Sequence, residues 1–207
     1  MAGQSLETPR WRPQREAAAR NEEKLLQTAR SLLASPDATK VDMREIARAA
    51  GVGVGTLYRR FGDKAGLLAA VIGEDERTLQ EKILQGRPPL GPGAAADERL
   101  EAFIDALVAL TERNIGALLV TEATPPGRLV VGAYDGWRQH LVLLLRELRT
   151  SLDAKDAVWY ADMLLASVEA QLYAFQRRQL KLSQRRIATN AKALALAIVG
   201  GSGVPGT

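Results

Sequence analysis

The stretch from Asp42 to Phe61 constrains the fold most, because it sets two short helical repeats on either side of Gly51-Val52-Gly53. Asp42-Met43-Arg44-Glu45 has the form of a capping box with aspartate in the cap. Ile46, Ala47 and Ala50 then share one face, and Gly51 stands where a left-handed residue ends a helix. A second short helix is predicted from about Val54 to Phe61, with Leu57 and Phe61 on one face. A reversal this tight makes the two helices cross closely. Ala47 and Ala50 supply the small residues at the crossing, and Val52, Leu57 and Phe61 supply the apolar lock. The pattern is a helix-turn-helix, a unit that presents its second helix to a DNA groove.

The opposite face of that second helix carries the chemistry. Gly55 and Arg59 point away from Leu57 and Phe61, flanked by Thr56 and Tyr58. Gly55 lets the backbone approach base edges, and Arg59 offers a fork to guanine O6 and N7. The hydroxyls of Thr56 and Tyr58 suit phosphates. Lys64, opening the next helix, adds a cation and nearby backbone N–H groups, and Arg44 lies on the same side. Any one of these residues would fit an ordinary solvated helix face; the set, behind a well-formed turn, points to double-stranded DNA. Charge agrees: the chain carries 28 Lys and Arg against 24 Asp and Glu. Residues 1–72 hold 12 and 8 of these, and the remainder 16 and 16, so the excess lies in the N-terminal third.

Residues 41–72, VDMREIARAAGVGVGTLYRRFGDKAGLLAAVI, resemble the N-terminal domain of the tetracycline-repressor (TetR) family. The matching elements are Ile46-Ala47, Ala50-Gly51-Val52, Gly55-Thr56-Leu57-Tyr58, Phe61, Lys64 and Leu67-Leu68, without a gap. The resemblance covers about the first third of the chain. It implies three N-terminal helices, a connecting fourth, a helical C-terminal domain with a ligand cavity, and a homodimer on a palindromic operator. Carried over by position, Arg44, Val54, Gly55, Thr56, Tyr58, Arg59, Arg60 and Lys64 form the DNA-contacting set. Val54 departs from the polar residue common at its position, which leaves contact with a thymine methyl or none.

Beyond this domain the sequence predicts helices only, so the fold class is all-α. The expected organisation is a flexible basic arm at 1–15 (Arg10, Trp11, Arg12, Arg15), a helix-turn-helix domain at 16–62, a connecting helix and C-terminal domain at 63–199, and a disordered tail at 200–207. The arm suits a minor groove. C-terminal helices are expected at about 97–113, 114–122, 128–151, 154–179 and 183–199, with Pro36 and Pro125-Pro126-Gly127 as breaks. A mostly apolar wall with polar handles marks a candidate ligand pocket: Phe103, Leu107, Leu118, Glu122, Tyr134, Trp137, His140, Leu141 and Leu144. Each also fits ordinary core. Glu122 favours a neutral or cationic apolar effector. The helix at 154–179 is apolar over much of its circumference, which predicts burial by more than its own domain. A two-fold four-helix bundle is expected through Leu165, Val168, Leu172, Ile187, Ala191, Leu194, Ala195 and Ile198.

Other functions find little support. The chain has no cysteine and a single histidine, His140, so no metal site and no cofactor are expected. Gly51-Val52-Gly53-Val54-Gly55 is followed by Thr56, which breaks the dinucleotide fingerprint, and no nucleophile elbow, Walker loop or zincin motif occurs. His140 could pair with Asp135 or Glu147 as a base, yet no activated nucleophile accompanies it. No apolar run reaches membrane length and no secretory h-region is present, so a soluble cytoplasmic protein without enzymatic activity is expected. The expected function is a repressor released from its operator by a small hydrophobic effector. The alternative is a ligand-independent regulator whose C-terminal domain binds a partner protein.

Overall fold

Apolar side chains at helical spacing gather into two cores, and one long helix serves both. The computed structural model describes residues 11–33, 41–122 and 133–201, of which 11–20 and 122 by backbone alone. The helices are α1 Trp11–Leu33, α2 Met43–Ala50, α3 Val54–Phe61, α4 Lys64–Gln85, α5 Ala96–Glu122, α6 Tyr134–Leu148, α7 Ala154–Ala166, α8 Ala170–Arg178 and α9 Gln184–Gly200. No strand occurs among the described residues, and no helix among them is long and apolar enough to cross a membrane.

The N-terminal core joins α1 to α4 through residues such as Leu25, Ala29, Ile46, Leu57 and Leu67. The C-terminal core is built around α5, α6, α7 and α9. Helix α4 gives Leu67, Leu68, Val71 and Ile72 to the first core and Leu79 and Ile83 to the second. Ala117 and Leu118 of α5 and Ala170 of α8 also enter the N-terminal core. The two cores are therefore clamped together along α4 and the end of α5.

Local chemistry explains most of the boundaries. Asp42, Asp63, Asp153 and Ser183 cap α2, α4, α7 and α9, each accepting a backbone N–H of the first turn. Helix α1 starts at Trp11, inside the segment expected to be an arm. Pro13 is tolerated there because N–H groups of a first turn have no intrahelical partner. Arg10, Pro36, Pro125-Pro126-Gly127 and the tail from Ser202 lie outside the described residues.

Two sequence expectations are corrected in the C-terminal half. The segments 97–113 and 114–122 form one helix, α5. Asn114 is accommodated inside it because its Nδ2 donates to Leu110 O at 3.0 Å and to Asp75 Oδ2 at 2.7 Å. Conversely, 154–179 is two helices, broken after Ala166. The Val168 carbonyl at the break turns toward α5, where the buried Thr111 hydroxyl donates to it at 3.3 Å. Such a partner lets a buried carbonyl leave the helix ladder at little cost.

Buried and half-buried polar groups knit the elements together. Asp75 on α4 accepts from Asn114 and pairs with Arg30 Nη2 of α1 at 2.9 Å. On the far side of α5, Glu112 takes both Arg177 Nη2 at 2.7 Å and the Tyr173 hydroxyl at 2.6 Å. The Arg177 guanidinium holds the Glu112 carboxyl below its ordinary range. Burial, followed by the Glu112 carboxylate, pushes the Tyr173 phenol above its own.

Candidate nucleic-acid interface

The turn between α2 and α3 has the geometry its residues predict. Gly51 adopts φ 70°, ψ 32°, a left-handed conformation that a Cβ would disfavour. Its N–H bonds to Arg48 O at 3.2 Å, and the Val52 N–H bonds to Ala47 O at 3.0 Å. That pair of bonds is a Schellman motif, and Val52 closes it against the N-terminal core. Leu57 of α3 is fully buried and Phe61 is half-buried, which fixes the roll of the helix.

With Leu57 turned inward, Val54, Gly55, Thr56, Tyr58 and Arg59 are all exposed. A Cβ built on Gly55 meets nothing within 4 Å, so this face is open. Tyr58 is 50% exposed despite its large ring. Arg44 is exposed on α2, and Lys64 is half-buried at the start of α4. All eight predicted contact residues are thus exposed or, for Lys64, half-buried on α2, α3 and the start of α4. Arg60 differs in that its guanidinium pairs with Glu22 of α1 and lies 5.8 Å from the Phe61 ring centroid.

Two further residues stand beside these on the same elements. Arg48, one turn beyond Arg44 on α2, is exposed and adds a cation; the spacing of four was the signal available for it. Gly66 sets the angle between α3 and α4. A Cβ there would stand 2.0 Å from the Phe61 carbonyl oxygen, so only glycine permits this approach of backbone to backbone. The Asp63 side chain completes the corner by accepting from the Gly66 N–H at 2.8 Å.

Residues 25–71 match the model of the bacterial regulatory proteins, tetR family. This segment, which holds the helix-turn-helix, is similar to the N-terminal domain of that family. A helix-turn-helix (HTH)-type transcriptional regulator of Staphylococcus aureus, strain bovine RF122, is 29% identical over 163 residues, spanning 78% of this chain and 85% of that protein. Among solved structures, a transcriptional regulator from Rhodococcus sp. RHA1 superposes with TM-score 0.62 at 21% identity, covering 86% of this chain and 95% of the other. A TetR-like regulator from the same organism gives 0.58 at 21% identity, over 88% and 97%. The chain is accordingly similar to helix-turn-helix transcriptional regulators, with the match to the family model confined to its N-terminal DNA-binding segment.

The other predicted sites of this regulator distribute unevenly. Phe103, Leu107, Trp137, His140, Leu141 and Leu144 are all buried, and the half-buried Tyr134 packs against the same C-terminal core. Leu118 departs from the expected pocket, because the end of α5 delivers it to the N-terminal core. The Glu122 side chain lies outside the described residues. Of the expected partner-facing set, Leu165, Val168, Ile187, Ala191, Ala195 and Ile198 are buried in this chain's own C-terminal core. Only Leu172 and Leu194 of that set remain exposed, at 42% and 43%. Their neighbours in exposure are Val158, Trp159 and Met163 of α7, Phe175 of α8 and Leu196 of α9.

His140 lacks the carboxylate partners that the sequence allowed. Asp135 pairs with Arg138 at 2.9 Å and Glu147 approaches Arg99 at 3.9 Å. The imidazole instead meets the Phe103 ring edge-on, centroids 5.0 Å apart, and its Nε2 is buried without a hydrogen-bond partner. Burial, aided by the Arg99 charge, lowers its pKa from the usual 6.5 to about 4. The unfolded chain therefore takes up this proton first on acidification. The stabilisation is whole above about pH 6.5 and drains away as pH falls towards 4, reaching roughly 3 kcal/mol. Urea unfolding at pH 7.0 and 4.5 checks this: His140→Gln should show a shallower loss of stability than the parent, and equal losses would contradict the assignment.

Proposed function

We propose that this regulator is a homodimeric, cytoplasmic repressor that binds a palindromic operator and is released by a small hydrophobic effector. The open face of α3, with Gly55, Thr56, Tyr58 and Arg59 opposite a fully buried Leu57, carries the reading. A helix held this way enters the major groove with its backbone close to the bases, Arg59 reaching a guanine edge and Thr56 and Tyr58 reaching phosphates. Arg44 and Lys64 flank the helix and anchor it to the sugar-phosphate backbone. Titrating labelled duplexes selected from a random pool, with anisotropy as readout, tests the reading. Binding should fall linearly in log affinity against log salt.

The exposed apolar residues of α7, α8 and α9 support self-association. Large apolar side chains clustered on a surface signal an interface, and an isologous pairing would place two α3 helices on one face of the duplex, about one turn apart. Leu172→Glu combined with Leu194→Glu should convert the dimer to monomer in light scattering and weaken operator binding. A parent chain that runs as monomer at every concentration would refute the dimer.

The effector is placed against Phe103, Leu107, Trp137, His140, Leu141 and Leu144. These residues are apolar except for one neutral imidazole with an unused nitrogen, which suits an uncharged apolar molecule carrying a single hydrogen-bonding group. Helix α4 spans both cores, so a C-terminal core that repacks around a ligand moves the N-terminal helices with it. If no apolar compound displaces the operator while a protein partner does, the ligand-independent alternative replaces this one.

A further inference from the structure

The Arg30–Asp75 pair stands between two clefts of opposite charge. One, about 690 Å³ between α1 and α4, is rich in carboxylates, with Glu22, Glu23 and Glu74 on its walls. The other, about 420 Å³, opens between α4 and α5 beside α1. Its walls carry Leu79, Leu90, Ala106 and Leu110 together with three cations, Arg30, Lys82 and Arg113. Its volume falls in the range of small-molecule sites, roughly 300–1,000 Å³.

Asp75 is the single carboxylate lining the second cleft among the described residues, and its oxygens are already engaged. Oδ1 meets Arg30 at 2.9 Å and Oδ2 meets Asn114 at 2.7 Å, so Arg113 is left at 3.7 Å. Lys82 is exposed and makes no ion pair among the described residues. The Arg30 Nε–H is buried without an acceptor. Three cations against one spent carboxylate leave an excess of two positive charges beside an apolar wall. We propose that this cleft binds a small amphipathic anion, a carboxylate on a short unbranched apolar chain. The head group meets Lys82 and Arg113 in charge-assisted hydrogen bonds, and the chain lies over Leu79, Leu90, Ala106 and Leu110.

The site shares no residue with the region around His140 and does not depend on the effector assigned there. Its position gives it a consequence. Asp75 ties α1 of the DNA-binding domain to α4 and α5, and an anion beside it competes for the same guanidinium groups. Occupancy of the cleft is thereby felt in the helices that hold α3.

Isothermal titration of the full chain tests the proposal, with octanoate, octan-1-ol and octylammonium as probes, all below micellar concentrations. Octanoate should bind saturably, octan-1-ol at least tenfold more weakly, and octylammonium without measurable heat. The double variant Lys82→Gln, Arg113→Gln should lose tenfold or more in octanoate affinity with its thermal unfolding unchanged. Ala106→Trp, which fills the cleft without altering charge, should lose it as well. Absence of octanoate binding, or equal affinity for the alcohol, overturns the proposal. So does octanoate binding that survives both cleft variants but is lost on Phe103→Trp, which would move the ligand to the C-terminal core.

Discussion

Replacing Arg59 with alanine should lower operator affinity by about 5- to 150-fold, the 1–3 kcal/mol expected of a base-reading arginine, and leave thermal unfolding where it was. The two halves of that expectation come from one observation. Arg59 is exposed on the face opposite Leu57, so its removal takes nothing from the core. The loss should be confined to one or two base positions: duplexes altered at the contacted guanine should bind parent and variant alike. Arg60→Ala makes the informative comparison. Its guanidinium already pairs with Glu22 on the protein surface, and exposed pairs of this kind contribute about 0–1 kcal/mol. Its effect on affinity should be smaller and independent of sequence. Competition binding against single-base operator variants separates the two residues. Equal losses for Arg59→Ala and Arg60→Ala across all sequences would remove Arg59 from the base-reading role.

Leu57→Ala should destabilise the protein by about 2–5 kcal/mol, the largest stability effect expected in the DNA-binding domain. Leu57 is fully buried beneath α3, and the helix is only eight residues long. A helix this short has little stability of its own, and its N-cap, Gly53, offers no side-chain bond to the first turn. The α3 backbone is therefore held by what Leu57 and Phe61 bury and by the glycine turns at either end. Urea titration followed by far-ultraviolet circular dichroism should place the midpoint well below the parent's. DNA binding at 25 °C should fall in proportion to the folded fraction and recover on cooling towards the temperature of maximum stability. An unchanged midpoint would mean that α3 is anchored by other contacts.

The N-terminal domain was legible in the sequence because its constraints are local. Gly51 needs its left-handed conformation whatever surrounds it, Asp42 and Asp63 cap the helices they precede, and a spacing of four puts Leu57 and Phe61 on one side. The C-terminal half was legible as helices and less so in its contacts. An apolar stripe states that a face is buried and leaves open by what. Ile187, Ala191, Ala195 and Ile198 form such a stripe, and it packs on this chain's own core. Val158, Trp159 and Met163 stay exposed on α7, and periodicity alone does not separate them from the core positions beside them. Leu118 was misplaced for a related reason: α5 is long enough to begin in one core and end in the other. The break between α7 and α8 depends on Thr111, 57 residues away from the Val168 carbonyl it satisfies, and no local pattern announces it. Arg60 is the same lesson at the site itself, since its partner Glu22 lies on a different helix.

Methylation protection of guanine N7 on a duplex selected by the full chain tests most directly whether α3 lies in the major groove. The account predicts protected guanines within each bound site, at least one of which becomes reactive again in the Arg59→Ala complex while the others stay protected. Full reactivity of every guanine in a saturated complex, or a protection pattern identical in parent and variant, would contradict it.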